Sequence, residues 1–371
     1  MRRGTAFVAL LMLLALVPLK ASAGPGLVVE VSNSKVLYYE DADTPWHPAS
    51  LTKMMTAYLV FEALKAGKLD LKSKVSCSAS AHLQPPSKIG LAVGGQMSVD
   101  LALQALIVKS ANDVAVMLAE AVAGSEVAFV AQMNTTAARL GMSRTVFVNV
   151  NGLPAAEQVS TARDLAKLAR AIITDFPEYA HYWTKQEMRL GKQRLATHNG
   201  LLQSFAGADG MKTGFTCDSG FNLVATASRD GRRIIAVVLG ENSSAERNLR
   251  AASLLEHGFQ ETGWKQLFNS NTLDNMPLAA SAQVRSIRND VVSWGCKERK
   301  ARVAKAGGKK RSAAKAAKKK QTIAAQPKPE SVTIGVEAES AGAGESGDGA
   351  PATVQLRGTM PPPAAAAFQP Q

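Results

Sequence analysis

Two residues three positions apart, Ser50 and Lys53, could together form an activated nucleophile. If the segment is helical, side chains at this spacing lie on one face and can meet. A serine hydroxyl attacks a carbonyl carbon effectively only when a neighbouring base accepts its proton. Lysine can be that base when burial and a nearby cation keep it uncharged. The pair predicts acyl transfer through a serine ester, although a capped amphipathic helix with an exposed lysine has the same spacing.

A second polar cluster, Ser110-Ala111-Asn112, lies between two apolar runs with helical spacing. Such an interruption predicts a loop that presents a hydroxyl and an amide to a cleft. Ser110 could relay a proton between Lys53 and a leaving amine, and Asn112 could hold a substrate amide. The alternative is a simple helix break with a serine or asparagine cap.

A third cluster, Lys212-Thr213-Gly214, precedes a strand-like run. Lys212 and Thr213 suit a substrate carboxylate, and Lys212 would also be the cation that lowers the pKa of Lys53. Because glycine allows close approach of another backbone, an edge strand here could pair with an extended peptide. The alternative is a turn with a solvated lysine.

The elements that must position these residues follow a recognisable order along the chain. Runs rich in β-formers, with turn residues between them, lie at 26–32, 35–40, 222–228 and 233–239. Apolar residues at helical spacing lie at 50–68, 98–121, 126–140, 160–174 and 246–258, and Ser50 is expected to cap the first helix. Strands at both ends with helices between them predict an α+β fold: an antiparallel sheet covered by helices, with an inserted all-helical region.

The first 23 residues are predicted to be a signal peptide. Arg2 and Arg3 supply a basic start, residues 6–17 are apolar, and small residues at 21–23 precede a cut. The alternatives are an uncleaved anchor or a buried helix, although the apolar run is shorter than the about 20 residues that span a bilayer. We therefore expect an exported protein in the periplasmic or cell-wall space, peripheral to the membrane at most.

The positive charge of the chain is concentrated near its C-terminus. The formal net charge is +13, but residues 297–320 hold 12 Lys or Arg and one acidic residue, whereas 24–296 carry a net charge of about +2. The basic and then Ala/Pro-rich tail, 297–371, cannot bury enough apolar surface to offset its chain entropy, so we expect it to be disordered. Either the tail is a solvated linker or its basic part contacts anionic membrane or wall polymers. Export argues against a nucleic-acid partner.

Three cysteines, Cys77, Cys217 and Cys296, would reach an oxidising compartment. Three cysteines could form one disulfide and leave one free thiol, and the sequence does not indicate which two are bonded. Three small buried thiols are the alternative. The five histidines lack the H-E-x-x-H spacing of a zinc peptidase, so neither a metal nor a cofactor is expected.

The three polar clusters together resemble an established signature. S-x-x-K, S-x-N and K-T-G in this order are typical of penicillin-binding proteins and serine β-lactamases. Longer matching segments lie at 48–59, 110–120, 151–154, 198–202 and 209–227, within about residues 26–259. The chain thus resembles the low-molecular-mass penicillin-binding proteins, which are serine-type D-alanyl-D-alanine carboxypeptidases.

The resemblance implies a role for each matching residue. Ser50 would be the acylated nucleophile, Lys53 its general base and Ser110 a further catalytic residue. The implied substrate contacts are Asn112, Lys212, Thr213, Gly214, Phe215 and Arg247. The backbone N–H groups of Ser50 and Phe215 would form the oxyanion hole. Arg247 would help to hold the substrate carboxylate, unless it forms a surface salt bridge instead.

Better-known members of this family continue into a β-rich second domain and an amphipathic anchoring helix. Here only a short extension, 263–296, separates the catalytic domain, 24–262, from the tail, so we expect at most a few strands in it. Val303 is the only large aliphatic residue of 297–320, which argues against an interfacial helix in that segment.

The resemblance implies a carboxypeptidase that removes the terminal D-alanine from peptidoglycan stem peptides and that β-lactam antibiotics acylate and inhibit. The Glu-x-x-Leu-Asn segment of class A β-lactamases is missing, because Glu157 is followed by Gln-Val-Ser. The alternatives are D,D-endopeptidase, transfer or β-lactamase activity at the same site, a scaffold that binds penicillin without turnover, and a wall protein that binds polyanions through its tail.

Overall fold

The computed structural model describes residues 24–261, 270–280 and 283–284, all within a compact unit that spans Met1–Lys310. The predicted signal peptide, most of the 263–296 extension and the whole basic tail lie outside the described residues, as does the second unit, Arg311–Gln371.

A five-stranded antiparallel sheet forms the centre of the described part. The strands, in chain order, are β1 Gly26–Glu30, β2 Val36–Glu40, β3 Lys74–Ser76, β4 Gln96–Ser98, β5 Glu187–Leu190, β6 Gln193–Ala196, β7 Ala208–Thr216, β8 Gly220–Arg229 and β9 Arg232–Glu241. The order across the large sheet is β2–β1–β9–β8–β7, while β3–β4 and β5–β6 form two small ribbons. The two predicted hairpins, β1–β2 and β8–β9, are confirmed. Residues 212–214 lie inside β7, at an edge of the sheet, rather than just before a strand.

Helices cover both faces of this sheet. The α-helices in the described part are α1 Lys53–Lys65, α2 Ala79–Leu83, α3 Val99–Gln104, α4 Asn112–Ala123, α5 Glu126–Arg139, α6 Ala162–Asp175, α7 Ala180–Trp183, α8 Leu201–Ser204 and α9 Ser244–Gln260. Short 3₁₀ turns at Ala49–Thr52 and Pro177–Tyr179 precede α1 and α7. The predicted helix over 98–121 is divided, because a π-helical turn, Ala105–Lys109, ends at a left-handed Ser110.

Alternate residues of the strands pack against different layers, as the two-residue period of a strand requires. Val28, Ala236 and Val238 contact one hydrophobic cluster, which includes Leu254 and Leu255 of α9. Their neighbours face the helical region on the other side: Leu27, Val29, Ile235, Val237 and Leu239. The predicted α+β architecture, a sheet covered by helices with an inserted helical region, is therefore confirmed.

Helix α1 lies inside the helical region, where ten of its 13 residues are buried. A helix with apolar residues on every side belongs in a core. The predicted serine cap is wrong. Ser50 lies within the 3₁₀ turn, Thr52 occupies the cap position with helical backbone angles, and no side chain caps the helix. The hydroxyl of Ser50 is consequently not used by the helix that follows it.

Two of the three cysteines are described. Cys77 is a buried free thiol, whereas Cys217, in the turn between β7 and β8, is disulfide-bonded. The alternative of three reduced thiols is therefore excluded, while Cys296 lies outside the described residues.

Within the described ranges no single helix is long and apolar enough to cross a membrane. Helices α4 and α5 meet that criterion only when taken together, and they are bent by 83° where they join.

Candidate active site

Two glycines allow the turn that carries Ser50 to contact its surroundings closely. Ala49 has a φ of 50°, a left-handed conformation that is unfavourable for alanine and that neighbouring structure must hold in place. A side chain at Gly152 would place its Cβ 1.9 Å from the carbonyl oxygen of Ala49. A side chain at Gly214, in β7, would place its Cβ 3.1 Å from the backbone nitrogen of Ser50. Both backbones therefore pack directly against the turn.

The side chains of Ser50 and Lys53 meet at hydrogen-bond distance. Lys53 Nζ lies 3.2 Å from Ser50 Oγ and 2.8 Å from Asn112 Oδ1, and it also contacts the carbonyl oxygen of Asn151. The two asparagine oxygens can only accept, and the amide nitrogen of Asn112 is assigned by its own bond to the carbonyl of Pro85, at 2.9 Å. An uncharged amine has two N–H groups and one lone pair. It can therefore donate to both oxygens and accept the hydroxyl proton of Ser50.

The environment of Lys53 favours this uncharged form. Its side chain is fully buried, and burial holds its pKa well below the usual value of 10.5. The nearby charge of Lys212 lowers the pKa further, whereas the carboxylate of Asp113 acts in the opposite direction. The carboxylate of Asp113 accepts from the backbone N–H groups of Ile89 and Gly90, which partly neutralise it. A buried lysine whose surroundings lower its pKa is suited to accept a proton.

Ser110 and Lys212 form a second contact on the other side of the cleft. Lys212 Nζ donates to Ser110 Oγ and to the carbonyl oxygen of Thr213, each at 3.0 Å. Ser110 reaches this position because it adopts a left-handed conformation, with φ at 60°, between the π-helical turn and α4. Burial, and then the charge of Arg247, lower the pKa of Lys212 to about 7. A small change in local charge can therefore change the protonation of Lys212.

Arg247 lies beside Lys212 and faces the same cleft. The residue is 4% exposed, and its guanidinium donates to the side-chain oxygen of Asn248 and to the carbonyl oxygen of His198. Burial lowers its pKa to about 10. None of the ion pairs formed among residues 24–261, 270–280 and 283–284 includes Arg247. The alternative of a surface salt bridge is therefore wrong for the described part of the protein.

Every predicted site residue belongs to one cleft. Seven of the predicted residues line it directly: Ser50, Ser110, Asn112, Thr213, Gly214, Phe215 and Arg247. Lys53 and Lys212 are buried beneath them, and the cavity has a volume of about 540 Å³. No Asp or Glu is among the described residues that line the cleft. The described residues also contain no group of three metal-ligating side chains.

Several residues of the site were not among the predicted ones, and Asn151 and His198 are two of them. Asn151 supplies a carbonyl oxygen to Lys53, and His198 lines the cleft beside Arg247. Burial, followed by the charges of Lys212, Lys109 and Arg247, lowers the pKa of His198. Both lie in segments, 151–154 and 198–202, that carry the family resemblance. That resemblance was the only sequence signal that pointed to them.

Phe215 is the predicted second donor of the oxyanion hole. It is 44% exposed and packs against Phe221, with 4.2 Å between ring centroids. It follows Gly214, whose backbone passes next to the nitrogen of Ser50. The backbones of β7 and of the Ser50 turn thus approach each other at the mouth of the cleft.

Comparison with known proteins gives consistent matches. The family model for D-alanyl-D-alanine carboxypeptidases, peptidase S11, matches residues 15–243. The carboxypeptidase DacC of Escherichia coli K12 is 40% identical over 241 residues, 63% of this chain and 60% of that protein. DacF of Bacillus subtilis is 34% identical over 255 residues, 67% of this chain and 65% of that protein. The chain therefore spans less than two thirds of the length of these relatives.

Solved structures show the same fold. Penicillin-binding protein 5 of Haemophilus influenzae matches with a TM-score of 0.62 and 35% identity, over 64% of this chain and 70% of that one. Penicillin-binding protein D2 of Listeria monocytogenes, in its cefotaxime-bound form, matches with a TM-score of 0.59 and 35% identity, over 64% and 97%. The family model covers more than half of the chain, and the cleft described above lies within the solved structures' shared fold. The chain therefore belongs to the D-alanyl-D-alanine carboxypeptidase family, peptidase S11.

Proposed function

We propose that the protein is a serine carboxypeptidase that removes the terminal D-alanine from peptidoglycan stem peptides through an acyl-enzyme on Ser50. The position of Lys53 carries this proposal. Its amine is buried among two oxygen acceptors and one hydroxyl, so the uncharged amine accepts the proton of Ser50. The catalytic domain then corresponds to residues 24–262.

The first step forms the ester. Lys53 takes the hydroxyl proton while Ser50 Oγ attacks the carbonyl carbon between the two D-alanines. The N–H groups of Ser50 and Phe215 stabilise the oxyanion. Ser110, which also accepts a hydrogen bond from Lys212, relays the proton from the protonated Lys53 to the leaving amine, so D-alanine departs and Lys53 is neutral again. Water, activated by the now neutral Lys53, then hydrolyses the ester and restores the serine.

The cationic end of the cleft orients the substrate. With the scissile carbonyl over Ser50, we place the terminal carboxylate beside Thr213 and Arg247 of the cleft wall and the buried Lys212. Buried cations bind a carboxylate strongly, because burial has removed the water that would stabilise their charge and the carboxylate takes its place. Asn112 keeps one amide proton and one lone pair for the substrate's own amide.

The same geometry suits a β-lactam, which combines a strained amide with a carboxylate. Ring opening on Ser50 gives an ester, and the described residues of the cleft include no Asp or Glu that could activate water as in class A β-lactamases. We therefore propose slow release, and hence inhibition. The Listeria relative has been solved in cefotaxime-bound and ampicillin-bound forms.

The direct test is release of D-alanine from a pentapeptide that ends in D-Ala-D-Ala. We expect turnover that a stoichiometric amount of penicillin stops. If penicillin acylated the protein but no D-alanine were released from the peptide, the protein would be a scaffold that binds penicillin without turnover. Preferential cleavage of cross-linked wall fragments would indicate an endopeptidase, and rapid recovery from penicillin would indicate a β-lactamase.

The pH dependence of kcat/KM for such a peptide is predicted to be bell-shaped. Activity rises as Lys53 loses its proton, and it falls as Lys212, whose pKa is about 7, loses the charge that holds the carboxylate. A guanidinium keeps its charge, so Lys212→Arg should move the falling limb to higher pH while the rising limb stays. Lys68→Arg, at an exposed position, is the matched control and should leave both limbs in place. A falling limb at the same pH in Lys212→Arg would contradict the assignment.

We also propose that residues 1–23 direct export to the periplasmic or cell-wall space and that the basic segment 297–320 attaches the enzyme to anionic polymers there. Each basic residue near an anionic surface contributes about 1 kcal/mol at most, so attachment depends on the combined contribution of the 12 basic residues. The full chain should bind vesicles that contain anionic phospholipid, and a chain that ends at residue 296 should not. Equal binding by both would rule the proposal out.

A further inference from the structure

The turn between β7 and β8 carries a cysteine that the proposed mechanism does not use. Cys217 is disulfide-bonded, whereas Cys77 is a buried free thiol. The chain has three cysteines, so Cys296 is the one partner left within it. Cys296 itself lies outside the described residues. Whether it can reach Cys217 depends on where the chain before it is held.

The segment 270–280, called the anchored segment below, shows where that chain is held. The buried guanidinium of Arg163 donates to the buried carboxylate of Asp43, at 2.7 Å, and to the carbonyl oxygen of Met276, at 2.6 Å. The same carboxylate accepts from the backbone N–H of Ala279, at 3.0 Å. A buried ion pair therefore fixes the anchored segment to the catalytic domain, shortly before the third cysteine.

The residues that follow Asp43 connect the anchored segment to the turn that carries Cys217. Trp46 lies three residues after Asp43 and is buried, and its Nε1 donates to the carbonyl oxygen of Ser219, at 2.9 Å. Ser219 belongs to the same turn as Cys217. The short stretch of chain that leads to Ser50 thus contacts the anchored segment at its start and the β7–β8 turn through Trp46.

The distance to the turn is within reach of the chain. From Ala279 through Asp43 and Trp46, the path consists of two hydrogen bonds, two side chains and a few residues of backbone, about 35 Å at most. The 17 residues from Ala279 to Cys296 span up to about 56 Å when they are extended. A disulfide between the third cysteine and the turn therefore requires no change in the described structure.

We propose that Cys217 and Cys296 form a disulfide, which closes the C-terminal extension onto the catalytic domain after export. The two thiols lose two protons and two electrons. The disulfide of a thiol–disulfide oxidoreductase, or of a low-molecular-weight compound, accepts them by exchange and becomes two thiols. A reducing cytosol keeps the cysteines as thiols, whereas an oxidising space preserves the bond. The pairing is independent of the carboxypeptidase activity proposed above, and its timing rests on the proposed export.

The bond contributes to stability rather than to chemistry. Its two cysteines are 79 positions apart, so it restricts a long loop of the unfolded chain and raises the free energy of unfolding. The pairing of β7 with β8, which places Phe215 opposite Phe221, holds the wall of the cleft without it. The fold therefore gains its full stability only when the cysteines are oxidised, while the geometry of the site is the same in both redox states.

Peptide mapping of the full chain tests the pairing. Digestion of the oxidised protein without reductant, followed by mass spectrometry, should give one pair of peptides that joins Cys217 to Cys296 and separates on reduction. Iodoacetamide should modify neither cysteine in the folded, oxidised protein. Alkylation of Cys296 under these conditions, or a bond from Cys217 to a second chain in a covalent dimer, would overturn the pairing.

Melting temperatures test the stabilising role. Dithiothreitol should lower the wild-type value by about 10 °C, in line with a disulfide that closes a long loop in a domain of this size. Cys217→Ser and Cys296→Ser should each have the lower value without reductant, and the double variant should be no less stable, because all three lack the same bond. Cys77→Ala is the matched control and should keep its response to dithiothreitol.

The activity of the same variants separates this inference from the proposed function. Well below the melting temperature, Cys217→Ser and Cys296→Ser should release D-alanine at the wild-type rate. Additive losses of stability in the double variant, or a melting temperature that dithiothreitol leaves unchanged, would overturn the stabilising bond alone. Absence of D-alanine release from the oxidised wild type would overturn the proposed function and leave the disulfide unaffected.

Discussion

Replacement of Ser50 by alanine is expected to abolish penicillin acylation and to reduce D-alanine release by about 10⁶-fold. Loss of the nucleophile in other serine hydrolases has an effect of this size, because the remaining groups only bind and polarise the substrate. Incubation with penicillin followed by intact-protein mass spectrometry measures acylation, and a coupled assay measures D-alanine.

The fold should survive this substitution. The described side-chain contacts of Ser50 Oγ consist of its pairing with Lys53, and no helix depends on it as a cap. The melting temperature should thus stay close to that of the wild type. Ser80→Ala, at an exposed serine of α2, is the matched control and should keep full activity. A Ser50→Ala protein that still gained the mass of penicillin would mean that another residue is the nucleophile.

The spacing of Ser50 and Lys53 predicted their contact, but for a partly mistaken reason. Their side chains meet across the junction of a 3₁₀ turn and a helix, rather than along a helix that Ser50 caps. Both geometries bring residues three positions apart together, so the contact is insensitive to the error. Local patterns predicted the pair well because the contact is itself local.

Contacts between distant segments were less accessible to prediction. The carbonyl of Asn151 reaches Lys53 across 98 positions of sequence, and any residue type has a carbonyl oxygen. A group that all residues share leaves no trace in composition or periodicity. Gly214 differs from Asn151 in this respect, because a glycine in the sequence already indicates that another backbone could approach closely. The partner that requires this absence, the nitrogen of Ser50, became apparent only from the packing of β7.

The order of strands was likewise beyond local patterns. Runs of β-formers predicted both hairpins, because a hairpin joins neighbours in sequence. The pairing of β1 with β9 instead depends on which apolar faces the helices bury. That pairing completes the sheet and leaves β7 at the edge, where its free side faces the cleft. The site thus depends on contacts between the two ends of the domain.

Replacement of Lys53 by glutamine is expected to lower acylation by about 10³-fold to 10⁴-fold, the upper part of the range for a general base. Burial and the charge of Lys212 lower the pKa of Lys53 and favour its neutral form, which an uncharged amide replaces without a new charge imbalance. The amide can donate to the oxygens of Asn112 and Asn151, so the unfolding free energy should change little. It cannot accept a proton at neutral pH, however, and the rising limb of the pH profile should disappear.

Loss of the rising limb distinguishes a lysine that acts as the general base from a lysine with only a structural role. Lys68→Gln, at an exposed position beyond the end of α1, should preserve both the rate and the rising limb. If Lys53→Gln instead strongly destabilised the protein, the native amine would be charged and balanced by the nearby carboxylate of Asp113. A folded Lys53→Gln enzyme that kept its rate and its rising limb would mean that a different group deprotonates Ser50. The stability and the pH profile, measured together on one variant, therefore determine in which protonation state the buried amine acts.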